Sequence, residues 1–178
     1  WYNSVVRNAA PQTSHNINIS GGNDKMQYYA SLGYQYQDSF FKSKDYNYNR
    51  YNLRANINAN IVDNLTMSVR MNGIMDTKNA SSVSSSNIIY YMWRQYPTTQ
   101  IYENGVAPYF TRFDNKPNPV QMMDADQVGY NKIEKKWIQT SVSLKWDIPF
   151  VKGLNIKAEV SYDYNLTNQK MYEKEYNY

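Results

Sequence analysis

The sequence predicts an all-β chain: an antiparallel transmembrane β-barrel segment of about six strands, with one long external loop that carries a short helix. Six segments alternate apolar and polar side chains with a period of two, as strands do when their faces meet different surroundings. The connections between them alternate between short and long. Aromatic side chains gather towards the strand ends, as they do in barrels that span outer membranes.

The composition favours a sheet that lies between two media. Of 178 residues, 16% are aromatic and 19 are tyrosine, although the mean hydropathy is only −0.78. A disordered chain would hold few aromatic residues. The net charge of +4 is small and scattered, which argues against nucleic-acid binding. Cysteine is absent from the sequence, so no thiolate metal site or disulfide is expected.

No apolar run approaches the roughly 20 residues that a membrane-spanning helix needs. The chain begins with Trp1 and shows no export signal. We therefore expect an excerpt of a longer protein, with any signal peptide outside it.

The first two strands form a predicted hairpin. Ile17 and Ile19 alternate with polar neighbours, and the turn-forming residues 21–24 follow. The apolar face of the second strand is expected to hold Tyr28, Ala30, Leu32, Tyr34 and Tyr36.

The third strand has the clearest alternation, and residues 62–64 turn the chain into the fourth. One face of this pair is expected to hold Tyr51, Leu53, Ala55, Ile57, Ala59, Ile61, Leu65, Met67, Val69 and Met71. Asparagine, arginine, serine and threonine occupy the positions between them.

The fifth and sixth strands flank a predicted turn at 149–153. Their common apolar face is expected to hold Ile138, Thr140, Val142, Leu144, Trp146, Ile148, Leu154, Ile156, Ala158, Val160, Tyr162 and Tyr164. Strands are thus predicted within about 15–75 and 137–165. Most run about ten residues, the length that a tilted membrane strand requires.

The long external loop is predicted at about 76–136. It contains one helical candidate, with possible N-cap hydroxyls at 84–86 and Pro97 at its end. We expect Ile89, Met92, Trp93 and Tyr96 to share its packed face. Tyr90, Tyr91 and Trp93 are candidates for contact with a sugar or peptide substrate through stacking, although packing within the loop is the simpler interpretation of these aromatic residues.

The polar face of the sheet provides the other site candidates. Arg54, Arg70, Lys157 and Glu159 are expected to face a watery lumen, where charged side chains cost little. No catalytic residue, metal site or cofactor is predicted, because the sequence shows no nucleophile–base motif, phosphate-binding loop or paired histidines. We therefore do not expect an enzyme.

Several phrases resemble the SusC/RagA-like family of TonB-dependent outer-membrane transporters. They comprise residues 20–23 leading into 28–34, residues 50–56, residues 96–99 with 102–105, residues 118–120, residues 152–154 and residues 160–164. In this order and spacing, they extend over most of the chain.

The resemblance implies that residues 1–178 form part of a 22-stranded β-barrel located in the cell outer membrane. It implies import of oligosaccharides or peptides, a SusD-like surface lipoprotein as partner, and a TonB complex that acts through regions outside this chain. The barrel wall would contact outer-membrane lipid, and six strands cannot close a barrel of that width.

Two other interpretations remain open at the level of sequence. A soluble β-sandwich that binds glycans also alternates apolar and polar residues. A small passive outer-membrane pore would have the same strand pattern without a transport partner.

Overall fold

The computed structural model describes residues 1–111 and 115–175. Its six strands are β1 (Gln12–Gly22), β2 (Met26–Asp38), β3 (Asn47–Val62), β4 (Leu65–Ser81), β5 (Gly129–Asp147) and β6 (Asn155–Glu173). Its four helices are α1 (Tyr2–Val5), α2 (Ser85–Arg94), α3 (Pro119–Met122) and α4 (Ala125–Val128). None of the helices in the described ranges is long and apolar enough to cross a membrane.

The strands form one antiparallel sheet in sequence order, β1-β2-β3-β4-β5-β6. Each strand pairs with the strand that precedes or follows it in the chain. The predicted all-β class, with six antiparallel strands and a helix in the long loop, is therefore confirmed. The sheet of the described residues is open, with β1 and β6 at its edges.

Short turns lie at one end of the sheet and long connections at the other, as the sequence predicted. The turns span residues 23–25, 63–64 and 148–154, and the long connections span 39–46 and 82–128. The Oδ1 atom of Asn23 accepts hydrogen bonds from the backbone N–H groups of Lys25 and Met26, both at 2.9 Å, which closes the first turn. A β-bulge between Asn60 and Val62 precedes the second.

The strands are longer than predicted, and the predicted loop bounds of 76–136 are wrong. β4 continues to Ser81 and β5 begins at Gly129, so the loop spans 82–128 and its residues 112–114 lie outside the described part. β6 continues to Glu173, eight residues beyond the predicted limit, and Ile148 lies in the turn. Beyond the predicted strand ends apolar residues such as Ile133, Leu166 and Met171 are few and fall on both faces, which removes the alternation on which the prediction depended.

The two faces of the sheet have the predicted compositions. Directly paired residues share a face, and one such row runs Tyr28, Ile57, Val69, Val142 and Val160. This apolar face is uncovered: Val160 is 75% exposed. A β-sandwich would place a second sheet over it, whereas the strands of residues 1–111 and 115–175 all belong to one sheet.

The apolar face has a limited height. It extends from the row that contains Leu65 and Trp146 to the row that contains Tyr51 and Met75. From Leu65 to Met75 the strand covers about 34 Å. At a tilt of about 40°, that length corresponds to a band about 26 Å high, close to the roughly 25 Å apolar band of outer-membrane barrels.

The aromatic residues follow the expected girdles only in part. Tyr34 and Tyr51 stack at the long-connection edge of the band with ring centroids 5.0 Å apart, and Trp146 lies at the turn edge. Tyr162, which the sequence placed near a strand end, lies in the middle of β6 opposite Thr140. The unpredicted extension of β6 accounts for this error.

The buried core lies beside the sheet rather than on it. At the long-connection end, the N-terminal segment and both long connections pack together around seven buried side chains: Val5, Phe41, Tyr46, Ile88, Met92, Met122 and Met123. We call these seven residues the loop cluster. Nearly all residues of the strands are partly or fully exposed. In the loop cluster, by contrast, Val5 and Ile88 are completely buried.

Hydrogen bonds connect the loop cluster to the ends of the strands. The hydroxyl of Tyr46 bonds with the Oγ atom of Ser81, which in turn donates to the carbonyl of Met122 at 2.7 Å. The Oδ2 atom of Asp45 accepts from the N–H of Ala125 at 2.8 Å. Both long connections are therefore fixed to each other.

Helix α2 is confirmed, but its predicted packed face is partly wrong. Ser84 is the N-cap, and its side chain accepts a hydrogen bond from the N–H of Asn87. Ile88 and Met92 are buried, whereas Trp93 is 72% exposed and Tyr96, beyond the helix end, is 58% exposed. The packed face is set by the neighbouring α1 and α3, whose positions the helical period does not reveal.

Candidate functional site

The polar face of β3–β6 brings charged side chains of both signs together. Arg54 of β3 lies in one row with Asn72, Gln139 and Asp163. Asn72 donates to Gln139 across β4 and β5 at 3.3 Å. Successive residues of a strand point to opposite faces of the sheet. Because these four residues alternate with the apolar ones, they lie on the face opposite the apolar band.

Arg70 lies in the next row, between Asn56 and Ser141. Ser141 pairs with Ser161 on β6. The short serine side chains leave space between the longer residues around them. The result is a shallow open recess of about 500 Å³ lined by Arg54, Asn56, Arg70, Met71, Asn72, Gln139, Thr140, Ser141, Glu159, Ser161 and Asp163.

Three of the four predicted lumen-facing residues, Arg54, Arg70 and Glu159, line this recess. The fourth, Lys157, lies beside it on β6 and places its Nζ atom 2.6 Å from Oε2 of Glu159. Side-chain exposures of 50% for Lys157 and 37% for Glu159 show that this ion pair meets solvent. The four residues share a face, while their role towards a solute stays a prediction.

The recess suits ligands that offer both charge and hydroxyl groups. Arginine presents a planar fork of donors that matches carboxylates, and serine, asparagine and glutamine bond to neutral hydroxyls or amides. Within the described part of the chain, neither Arg54 nor Arg70 forms a hydrogen bond or an ion pair, so their donors are available. Asp163 adds an acceptor on the opposite wall.

A second polar group lies farther along the same face and was missed by the sequence analysis. Arg50 and Asp76 approach each other at 3.6 Å, and the Nε atom of Arg50 donates to Asn52 at 3.1 Å. Asp76 lies in the part of β4 that was assigned to the loop. The polar period of β3 reaches Arg50, but only the pairing register reveals its partner.

The candidate aromatic residues of α2 differ in their surroundings. Trp93 and Tyr90 are exposed, at 72% and 51%. The guanidinium of Arg94 lies 5.0 Å from the Tyr90 ring. Tyr91 is half-buried against the loop cluster and meets Tyr90 edge-on at 5.1 Å. Tyr90 and Trp93 therefore present open surface at the long-connection end, whereas Tyr91 has a packing role.

No group of three or more histidine, aspartate or glutamate residues is arranged to hold a metal ion within residues 1–111 and 115–175. The polar recess holds its carboxylates as exposed side chains of one strand, Glu159 and Asp163, on the wall opposite the two arginines.

No family model matches the sequence, and no curated protein matches it. The fold has a solved counterpart. The chain is similar to a chain in the structure of the RagAB peptide importer in the 'closed-closed' state, with a TM-score of 0.62 and 19% sequence identity. The match covers 95% of this chain and 19% of that chain.

At 19% identity the likeness shows the fold alone. It supports the arrangement of a single antiparallel sheet with long connections at one end. The chain spans about a fifth of the length of the importer chain that it resembles.

Proposed function

We propose that this chain forms part of the wall of an outer-membrane TonB-dependent transporter that imports oligosaccharides or peptides. A SusD-like surface lipoprotein would act as its partner, and a TonB complex would supply energy through regions outside this chain. The wall guides solute during conformational gating and performs no covalent chemistry.

One observation carries the proposal: a single-layer sheet with an uncovered apolar band on one face and charged side chains on the other. Ile17 is 74% exposed and Val160 is 75% exposed, and they lie on β1 and β6, the opposite edge strands of the sheet. A continuous apolar surface of this extent requires lipid or protein against it. A height of about 26 Å fits the hydrocarbon core of an outer membrane.

Two further observations support the choice of a transporter. The sequence phrases resemble the SusC/RagA-like family, and the fold resembles a chain of a solved peptide importer. Arg54, Arg70 and Asp163 line an open recess on the polar side of the sheet, which supports contact with a solute there.

The test is membrane extraction of the full-length protein that carries this chain. We expect it to sediment with outer membranes, to resist alkaline wash and to enter solution only with detergent. Release into aqueous buffer by the alkaline wash, together with a monodisperse detergent-free state, would contradict the proposal.

A further inference from the structure

Four lysines lie at or beyond the edge of the apolar band at the long-connection end. Lys136 lies in the last apolar row, between Met75 and Leu166. Lys132 and Lys170 lie on the same face two rows farther out. Lys44, in the connection 39–46, lines a recess of about 340 Å³ together with Lys132.

Lys132 and Lys170 are paired directly across β5 and β6. Like charges in this position repel each other, because their Cβ atoms are only about 5 Å apart. The Nζ atom of Lys132 lies 2.6 Å from Oε1 of Glu134, but this ion pair meets solvent and offsets the charge of Lys132 only in part. Lys170 lies above the ring of Tyr130 at 5.8 Å, without a carboxylate partner in the described ranges.

The group keeps a positive charge after its own carboxylates are considered. Four lysines stand against two carboxylates: Glu134, which is paired with Lys132, and Asp45, which accepts hydrogen bonds from Ser43 and from the N–H of Ala125. The recess also offers amide side chains, since Asn47 and Asn79 line it beside Lys44 and Lys132. Ammonium and amide donors together suit a phosphate attached to a hydroxyl-bearing group.

The position of the lysines identifies the source of that phosphate. The Lys132 row lies about 13 Å along the strands beyond the last apolar row, or about 10 Å in height at a tilt of about 40°. The headgroup region of a bilayer extends roughly 5–8 Å beyond its hydrocarbon core, a gap that a lysine side chain spans. The lysines thus face lipid headgroups rather than the polar recess on the opposite side of the sheet.

We infer that Lys44, Lys132, Lys136 and Lys170 form a site for a phosphate-bearing lipid headgroup of the outer leaflet. This inference rests on the proposed function, because the sheet must stand in an outer membrane for the headgroup to reach the site. A bound phosphate relieves the repulsion between Lys132 and Lys170 and fixes β5 and β6 to the surrounding lipid.

The experiment compares lipid binding by the purified full-length protein and by a Lys132→Gln/Lys170→Gln variant, using native mass spectrometry in mixed micelles. The probes are lipid A, lipid A without its phosphates, and inorganic phosphate. We expect lipid A binding to weaken about fivefold for each lysine removed. Removing the phosphates from lipid A should weaken its binding to the parent protein at least as much as the two substitutions weaken the binding of intact lipid A.

The matched control is Lys135→Gln, which changes a lysine of the same strand on the opposite face, where Lys135 pairs with Asp76. Its lipid A binding should equal that of the parent protein. Undiminished binding by the double variant, or equal binding of phosphate-free lipid A, would overturn the inference. Saturation of the site by inorganic phosphate would assign it to a soluble anion and overturn the lipid assignment.

A second measurement separates binding from a purely structural role. Without lipid A, Lys170→Gln should leave the melting temperature unchanged or raise it, because the variant removes a repulsion. With lipid A, the parent protein should gain more thermal stability than the variant. A lower melting temperature of the variant both with and without lipid would contradict the inference.

Failure of this inference differs visibly from failure of the proposed function. Loss of lipid A selectivity in a protein that sediments with outer membranes would overturn only the headgroup site. A protein that enters aqueous buffer without detergent would overturn both.

Discussion

Ile57 and Asn58 are neighbours in β3 that face opposite sides of the sheet. Ile57 pairs with Val69 and Tyr28 in the middle of the apolar band, whereas Asn58 pairs with Ser68 and Gln27. Both side chains are exposed, so their burial within the chain does not distinguish them. Only the medium on each side of the sheet gives them different roles.

Replacing Ile57 by arginine should damage membrane assembly of the full-length protein. An arginine near the bilayer midplane costs about 2–4 kcal/mol, since the lipid cannot solvate its charge. Folding into lipid vesicles, followed by heat-modifiable gel mobility, measures this loss. Asn58→Arg is the matched control and should assemble normally. A harmful Asn58→Arg beside a harmless Ile57→Arg would reverse the assignment of the faces.

Helix α2 is the element that connects the loop cluster to the outer surface. Its buried side, with Ile88 completely enclosed, packs beside α1 and α3. Its open side presents Trp93 and Tyr90. The helix therefore holds its exposed aromatic residues on a base that is fixed by packing.

Ile88→Ala should loosen the long connection without disturbing the sheet. Removing a buried isoleucine side chain costs about 2–5 kcal/mol because a cavity remains. Protease cleavage within residues 82–128 should accelerate, while heat-modifiable mobility of the barrel should persist. Trp93→Ala, at a 72% exposed position, should leave cleavage unchanged. Equal cleavage of the Ile88→Ala protein and its parent would contradict this account of the cluster.

The strands could be predicted from sequence wherever one face is apolar and the other polar, as from Tyr51 to Ile61. Beyond the band the signal disappears: Glu134 and Lys132 share a face with the apolar residues of β5, yet are charged. The loop cluster could not be predicted either. Val5, Phe41 and Met122 come from short segments far apart in sequence, with no period that relates them.

The candidate site, too, could be predicted from the sequence only in part. Arg54, Arg70 and Glu159 could be placed on one face from the alternation alone. Their gathering into one recess depends on the pairing register of β3–β6, which brings Arg70 beside Ser141 and Ser161. Asp163 was missed as a partner because a single strand gives no indication of what lies across the sheet.

At the scale of the whole molecule, two units meet at the ends of the strands: the sheet, which is held together by strand pairing, and the loop cluster, which has its own core. Tyr46 joins them through Ser81, the last residue of β4. Burial raises the pKa of the Tyr46 hydroxyl above its ordinary value. The neutral phenol is therefore the form that the folded cluster favours.

This pKa shift predicts that the loop cluster loses stability at alkaline pH. A raised pKa contributes stability that is complete below the ordinary tyrosine pKa of about 10 and is lost as the pH rises above it. A fluorophore attached through Trp93→Cys would follow unfolding of the cluster in denaturant between neutral pH and pH values above 10.

Tyr46→Phe is the matched variant for this measurement. It should cost about 1 kcal/mol at neutral pH through the lost hydrogen bond, and it should flatten the alkaline decline. An equally steep decline in the phenylalanine variant would show that other groups cause it.

The pairing of β4 directly with β5 has a consequence for how such a protein can change over generations. Residues 65–81 pair without interruption with residues 130–146, so the connection between the two strands can gain or lose residues without shifting the register of any strand. New surface chemistry can therefore accumulate at that end while the six-stranded sheet is inherited unaltered. One sheet can in this way carry different surfaces at that end through insertion and deletion in a single stretch of chain.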